Sequence, residues 1–199
     1  AAPPQADAPP PRPTYTSHRD IVLGNAENIS APATDNKRIQ VFAPDGWFLY
    51  QWGGGGVLEG YLDEPVGIAI SADGEVYVAD TWNRRVQVFN TNGVFLRQWP
   101  IAGWDTGDPE EKPYLAVDSA GYVYVTDPAR YRVLVFDSLG NYVLSFGKLG
   151  TDERSFGMPM GIAVAPNGSI YVTDARNSRV MVFDPLSLSP PSGTGQNTE

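Results

Sequence analysis

A chain of 199 residues with 42% hydrophobic content is long enough to bury a core without a metal or disulfide staple, and it contains no cysteine. Its 23 Asp and Glu against 14 Lys and Arg give a formal charge of −9, which argues against nucleic-acid binding by phosphate neutralisation. No apolar run is long enough for a membrane-spanning helix, so direct insertion is not expected.

Residues 1–17 are too proline-rich to hold a packed strand and read as a tail, a linker or a donor segment. A repeat then begins. Phe42, Phe89, Phe136 and Phe183 stand 47 residues apart, and Asp80, Asp127 and Asp174 keep the same step, as do Arg85, Arg132 and Arg179. A period of this size indicates a solenoid, a propeller or an array. Within one unit, Val66–Ile70, Val76–Val78, Val86–Phe89 and Val94–Trp99 are β-branched or aromatic runs separated by turn residues, which predicts four strands per repeat. Dipeptides such as Asp73-Gly74 and Asn92-Gly93 mark the hairpins between them. Four antiparallel strands per unit, with helical spacing nowhere, predict an all-β fold, a β-propeller with units at about 18–64, 65–112, 113–158 and 159–185. Residues 186–199 read as a flexible C-terminal tail.

The motifs Pro65-x-Gly67-Ile68-Ala69 with Asp80-Thr81-Trp82-Asn83-Arg84-Arg85-Val86, and Pro159-x-Gly161-Ile162-Ala163 with Asp174-x-x-Asn177-x-Arg179, resemble the NHL-repeat family. The resemblance covers roughly residues 34–184 and implies a propeller, usually of six blades in that family. It does not imply one function, because the fold hosts scaffolds, nucleic-acid binders and enzymes.

The ends of the array depart from the pattern. Counting back 47 residues from Pro65, Asp80 and Gly74 lands on His18, Ala33 and Glu27, so the first unit lacks the proline, aspartate and glycine, and residues 21–33 show no clear strand alternation. The fourth unit stops after Val180–Phe183, without an outer strand. An open edge needs completion. Three routes are expected: closure in cis with Tyr15 to Leu23 beside Val180–Phe183, the missing part of a larger propeller, or completion in trans by the N-terminal segment of another copy, which would give rings or filaments.

Catalytic chemistry finds little support. The single histidine, His18, offers at most one ligand of a zinc site and one base, and no serine lies in a Gly-x-Ser-x-Gly elbow, so no catalytic and no metal residues are assigned. The alternative is a calcium-dependent lactonase or gluconolactonase-like hydrolase using Asp80, Asp127 and Asp174 as a ring of oxygen ligands. Against it, an Asp followed five residues later by an Arg in every unit is expected to hold the turn. Side chains that vary between units are better recognition candidates. They lie in the loop between second and third strands: Trp82, Arg84, Arg130, Tyr131, Arg176 and Asn177, suited to stacking on a sugar or peptide. Acidic connections carry Glu59, Asp63 and Glu64, then Asp105, Asp108, Glu110 and Glu111, then Asp152 and Glu153, and are expected to neutralise the basic turns. Asn28-Ile29-Ser30 and Asn167-Gly168-Ser169 are acceptor triplets for glycosylation at Asn28 and Asn167. The expected function is a non-enzymatic, extracellular or cell-surface module for assembly or binding, with itself, another protein or a carbohydrate as partner and no cofactor. A ligand sensor cut from a larger membrane protein is a further alternative.

Overall fold

A computed structural model describes residues 18–24, 27–104 and 112–188. Among these residues fifteen strands form four antiparallel sheets, and each sheet is one propeller blade. Blade 1 contains β1 (Val22–Leu23), β2 (Ile29–Ala33), β3 (Arg38–Phe42) and β4 (Phe48–Gly53). Blade 2 contains β5 (Pro65–Ile70), β6 (Val76–Asp80), β7 (Arg85–Phe89) and β8 (Phe95–Pro100). Blade 3 contains β9 (Leu115–Val117), β10 (Val123–Asp127), β11 (Arg132–Phe136) and β12 (Tyr142–Phe146), and blade 4 has three strands, β13 (Pro159–Val164), β14 (Ile170–Asp174) and β15 (Arg179–Phe183). Among the described residues the sheet of the fourth unit thus has no outer strand.

The registers repeat as the sequence does. Asp80 pairs with Arg85, Asp127 with Arg132 and Asp174 with Arg179 at the ends of equivalent hairpins. In blade 1 the degenerate positions still occupy the blade geometry. His18 bridges Ala33 as Pro65 pairs with Asp80, and Glu27 adopts φ 58° where blade 2 has Gly74. The expectation that residues 21–33 lack strand character is therefore corrected: β1 and β2 form there, because the neighbouring strand β3 and the adjoining blade impose what local alternation does not. Of the segment expected beside β15 in a cis closure, residues 15–17 lie outside the described residues. Val22 and Leu23 pair with Ser30 and Ile29 of their own blade, not beside β15.

Adjacent blades pack face to face, and the same positions make every joint. We call the face turned to the next blade trailing and the one turned to the previous blade leading. Ile39, Val41 and Trp52 of blade 1 pack with Ile68, Val78 and Phe89 of blade 2. One repeat on, Val86, Val88 and Trp99 pack with Leu115, Val125 and Phe136. Another repeat on, Val133, Val135 and Phe146 pack with Ile162, Val172 and Phe183. The outer-strand aromatics close these joints, with ring centroids 4.6 Å apart for Trp52 and Phe89, 5.9 Å for Trp99 and Phe136, and 4.9 Å for Phe146 and Phe183. Gly93 shows why the turn beneath each aromatic has no side chain: its φ is 78°, and a Cβ there would lie 2.3 Å from Trp52 Cγ.

Part of the segment read as a C-terminal tail is packed. Leu186 and Leu188 lie partly buried against the cluster between blades 3 and 4.

Candidate functional site

Blades 2, 3 and 4 are each pinned by an aspartate at the end of the second strand, where blade 1 has Ala33. Asp80 is fully buried; the Asp63 N–H donates to its Oδ1 at 2.6 Å, while Arg85 Nε and Gln87 Nε2 donate to Oδ2 at 2.7 and 2.9 Å. Arg85 then spends its other donors on the carbonyls of Val57, Leu58 and Tyr61, so the connection between blades 1 and 2 is tied to the hub. Blade 4 repeats this arrangement: the Gly157 and Met158 N–H groups, Asn177 Nδ2 and Arg179 Nε all donate to Asp174. Burial pushes the Asp80 carboxyl above its ordinary range, with its donors opposing. Around Asp174 burial acts in the same direction, but the backbone and side-chain donors win and hold it below that range. In blade 3, Arg132 Nε donates to Asp127 Oδ2 at 2.9 Å, and the position equivalent to the Asp63 donor, residue 110, lies outside the described residues.

These contacts decide what the recurring aspartates do. Each carboxylate is held inside its own blade by an arginine, and among the described residues no group of three or more His, Asp or Glu could hold a metal ion. Of the described acidic connections, Asp63 pairs with Lys37 of a basic turn at 2.9 Å, whereas Glu64 pairs with Lys112 at 2.6 Å and Asp152 with Lys148 at 3.8 Å, neither of which lies in such a turn. Asp105, Asp108, Glu110 and Glu111 lie outside the described residues.

The recognition candidates separate. Lys37, Arg84, Tyr131 and Ser178, one per blade, hold the left-handed backbone position of the loop, with φ between 52° and 56°. Trp82 stands 65% exposed, so it does not cover the adjacent blade, whereas Tyr131 packs against the cluster between blades 3 and 4. Asn177 is structural, donating to Gly150 O and Asp174. Arg176 is exposed, and Arg130 reaches toward Gly103, where a Cβ would lie 2.2 Å from its guanidinium. The loops thus do not assemble one pocket from all six residues. Asn167 is exposed and accepts the Ser169 N–H as a turn residue, while Asn28 is half-buried.

A polar group unforeseen in the sequence lies between blades 2 and 3. Arg97 Nη1 donates to Glu75 Oε1 at 2.7 Å, Arg97 Nη2 binds the other oxygen, and Tyr77 Oη donates to Glu75. Arg97 Nε donates to Ser138 O of the next blade, so the cluster spans the joint. The Arg97 hydrogen bonds hold the Glu75 carboxyl below its ordinary 4.5, against a smaller opposing effect of burial. A depressed carboxylate stabilises the fold above the unfolded value and loses that contribution as pH falls through the folded one. Wild type should therefore lose more stability than Glu75→Gln between pH 5 and about 3, read from urea midpoints; parallel pH profiles would show that the pair carries no linkage.

The largest anomaly lies at the end of the array. On the trailing face of blade 4, Tyr171, Val180 and Val182 are 40%, 60% and 60% exposed. Their equivalents are buried: Tyr77, Val86 and Val88 at 1%, 0% and 0%, and Tyr124, Val133 and Val135 at 2%, 0% and 0%. This is a blade-docking surface with no following blade on it among the described residues.

Four antiparallel blades in sequence, joined face to face by a repeated aromatic contact, define a β-propeller. Residues 62–89 and 156–183 match the model of the NHL repeat, so two of the four blades carry NHL repeats. No curated protein matches it. Among solved structures it is similar to a streptogramin B lyase (12% identity, TM-score 0.59, 83% of this chain and 53% of that one). It is similar as well to a gluconolactonase from Xanthomonas campestris (19%, 0.57, 80% and 55%) and to the WD40 propeller domain of Doa1 (15%, 0.62, 86% and 52%). At these identities the likeness is one of fold, shared by enzymes and by a WD40 domain, and the chain spans about half the length of each.

Proposed function

We propose that the chain is a non-enzymatic assembly and binding module, in an extracellular setting, whose propeller is completed by another polypeptide at its open end. The exposed trailing face of blade 4 carries this reading: an apolar surface that is buried at every other joint is a surface built to be covered. The outer edge of β15, beside which no strand lies among the described residues where β12 lies beside β11, offers backbone groups for strand completion. The extracellular setting rests on the Asn28 and Asn167 triplets, with sugars at those positions as part of the same proposal, and on the Thr, Ser and Pro-rich ends. Exposed Trp82 beside Arg84 is the surface proposed for a carbohydrate or peptide ligand.

The likeness to the gluconolactonase favours a second reading, a calcium-dependent lactone hydrolase in which the aspartates take the metal. Against it stands the arginine held on each of them. Light scattering across a concentration series, together with calcium titration and a lactone hydrolysis assay, tests the two. Association that Val180→Glu removes, with no calcium uptake, is the expected result. A chain that stays monomeric, binds calcium tightly, hydrolyses lactones and loses both properties in Asp127→Asn would overturn it.

A further inference from the structure

Resting on that reading, we propose that the occupant of the open face is a second copy of this chain, and that two copies close a ring of eight blades through two identical head-to-tail joints.

Both halves of a joint are present on one chain, at its opposite ends. Stepping forward by one repeat from Val133 and Val135, which pack on blade 4, gives the exposed Val180 and Val182. Stepping back by one repeat from Ile68 and Val78, which receive blade 1, gives Ile21 and Ala31 on the leading face of blade 1. Ile21 is 63% exposed where Ile68 and Leu115 are each 3% exposed, and Leu23 beside it is 67% exposed. Ile21, Ile29, Ala31 and Phe42 line a largely apolar hollow of about 450 Å³. Alanine at position 31 widens this hollow, because Val78, Val125 and Val172 stand there in the other blades.

The trailing face of one copy and the leading face of the other therefore repeat the inner side chains of the three internal joints, without the outer-strand aromatic that Trp52, Trp99 and Phe146 supply there. Such a contact is heterologous, and it ends in a ring if the rotation closes and in a filament if it does not. The arc superposes on about half of propellers roughly twice its length, so it already has the curvature of a larger closed ring. Two arcs of four blades give eight, within the usual range of propellers. Each copy carries a formal charge of −9, so the copies repel at long range and association should strengthen as salt rises.

Sedimentation equilibrium of the full chain, over a wide concentration range at 0.15 M and higher salt, reads the assembly directly. The expected species has twice the chain mass and does not grow further. Val180→Glu with Val182→Glu disables the trailing face, and Ile21→Glu with Leu23→Glu disables the leading face. All four positions are exposed, so unchanged circular dichroism and urea midpoints confirm folding. Each double variant alone should be monomeric at concentrations at least a hundredfold above the wild-type midpoint. Mixed together, they retain one intact joint and should recover a weaker dimer. A chain that is monomeric at every concentration, or variants that keep the dimer mass, would overturn the proposal. Open polymers that grow with concentration would overturn the closed ring while leaving the assembly reading intact.

Discussion

Replacing Asp80 by alanine is expected to lower the unfolding free energy by about 3–5 kcal/mol, the range seen when one partner of a buried ion pair is removed. The size follows from what stays behind. Arg85 is itself buried, and its remaining donors are committed to Val57, Leu58 and Tyr61 carbonyls and to Gln98, so the guanidinium cannot turn to water when its carboxylate is deleted. Asp63 N–H and Gln87 lose an acceptor in the same step. The equivalent change in blade 4, Asp174→Ala, should cost less, about 1–3 kcal/mol, because the Arg179 side chain is 28% exposed and water can replace part of the contact. Urea unfolding of the two variants at neutral pH checks the difference. Equal losses would mean that the burial of the arginine does not set the cost.

Gly93→Ala should destabilise by about 2–4 kcal/mol, adding the left-handed backbone penalty for a residue with Cβ to the cost of overpacking. The added methyl meets the Trp52 ring at 2.3 to 2.6 Å, and that ring is wedged against Phe89 at the joint. Gly121→Ala separates the two effects. Gly121 has φ 87°, but its nearest side-chain neighbour would be Ser138 Cβ at 3.7 Å, so only the backbone penalty of about 1–2 kcal/mol applies. Combining Gly93→Ala with Trp52→Ala should give strong coupling, since removing the ring removes the clash. Additive losses in the double-mutant cycle would rule the clash out as the source.

How much of this was legible in the sequence depended on which residues had to repeat. The 47-residue step fixed by phenylalanine, aspartate and arginine located every joint, because those side chains make the joints and hubs themselves. Blade 1 was harder to read. Ala33 stands where the other blades carry aspartate and Glu27 where they carry glycine, so the local signals fail while the neighbouring strands still impose the register. The loop residues Lys37, Arg84, Tyr131 and Ser178 are also 47 apart, and that spacing was a signal for their shared left-handed backbone. Their side chains differ because the turn itself is closed by backbone groups: Lys37, Arg84 and Tyr131 N–H groups donate to Thr34, Thr81 and Pro128 carbonyls. The separation of Trp82 from Tyr131 was not legible, since exposure depends on which blade lies alongside. The Glu75, Tyr77 and Arg97 cluster was missed because it occurs in one blade alone and breaks the repeat.

The joints between blades also set how the molecule comes apart. Apart from the Tyr114 hydroxyl, which donates to Arg19 O across the hub, the blades pack only on their immediate neighbours, so the chain behaves much as a short stack of coupled units in one dimension. Blades 2 and 3 are each gripped on two faces, whereas blades 1 and 4 are gripped on one. Loosening therefore starts at the two ends and moves inward, and anything that caps the exposed valines of blade 4 steadies the whole stack.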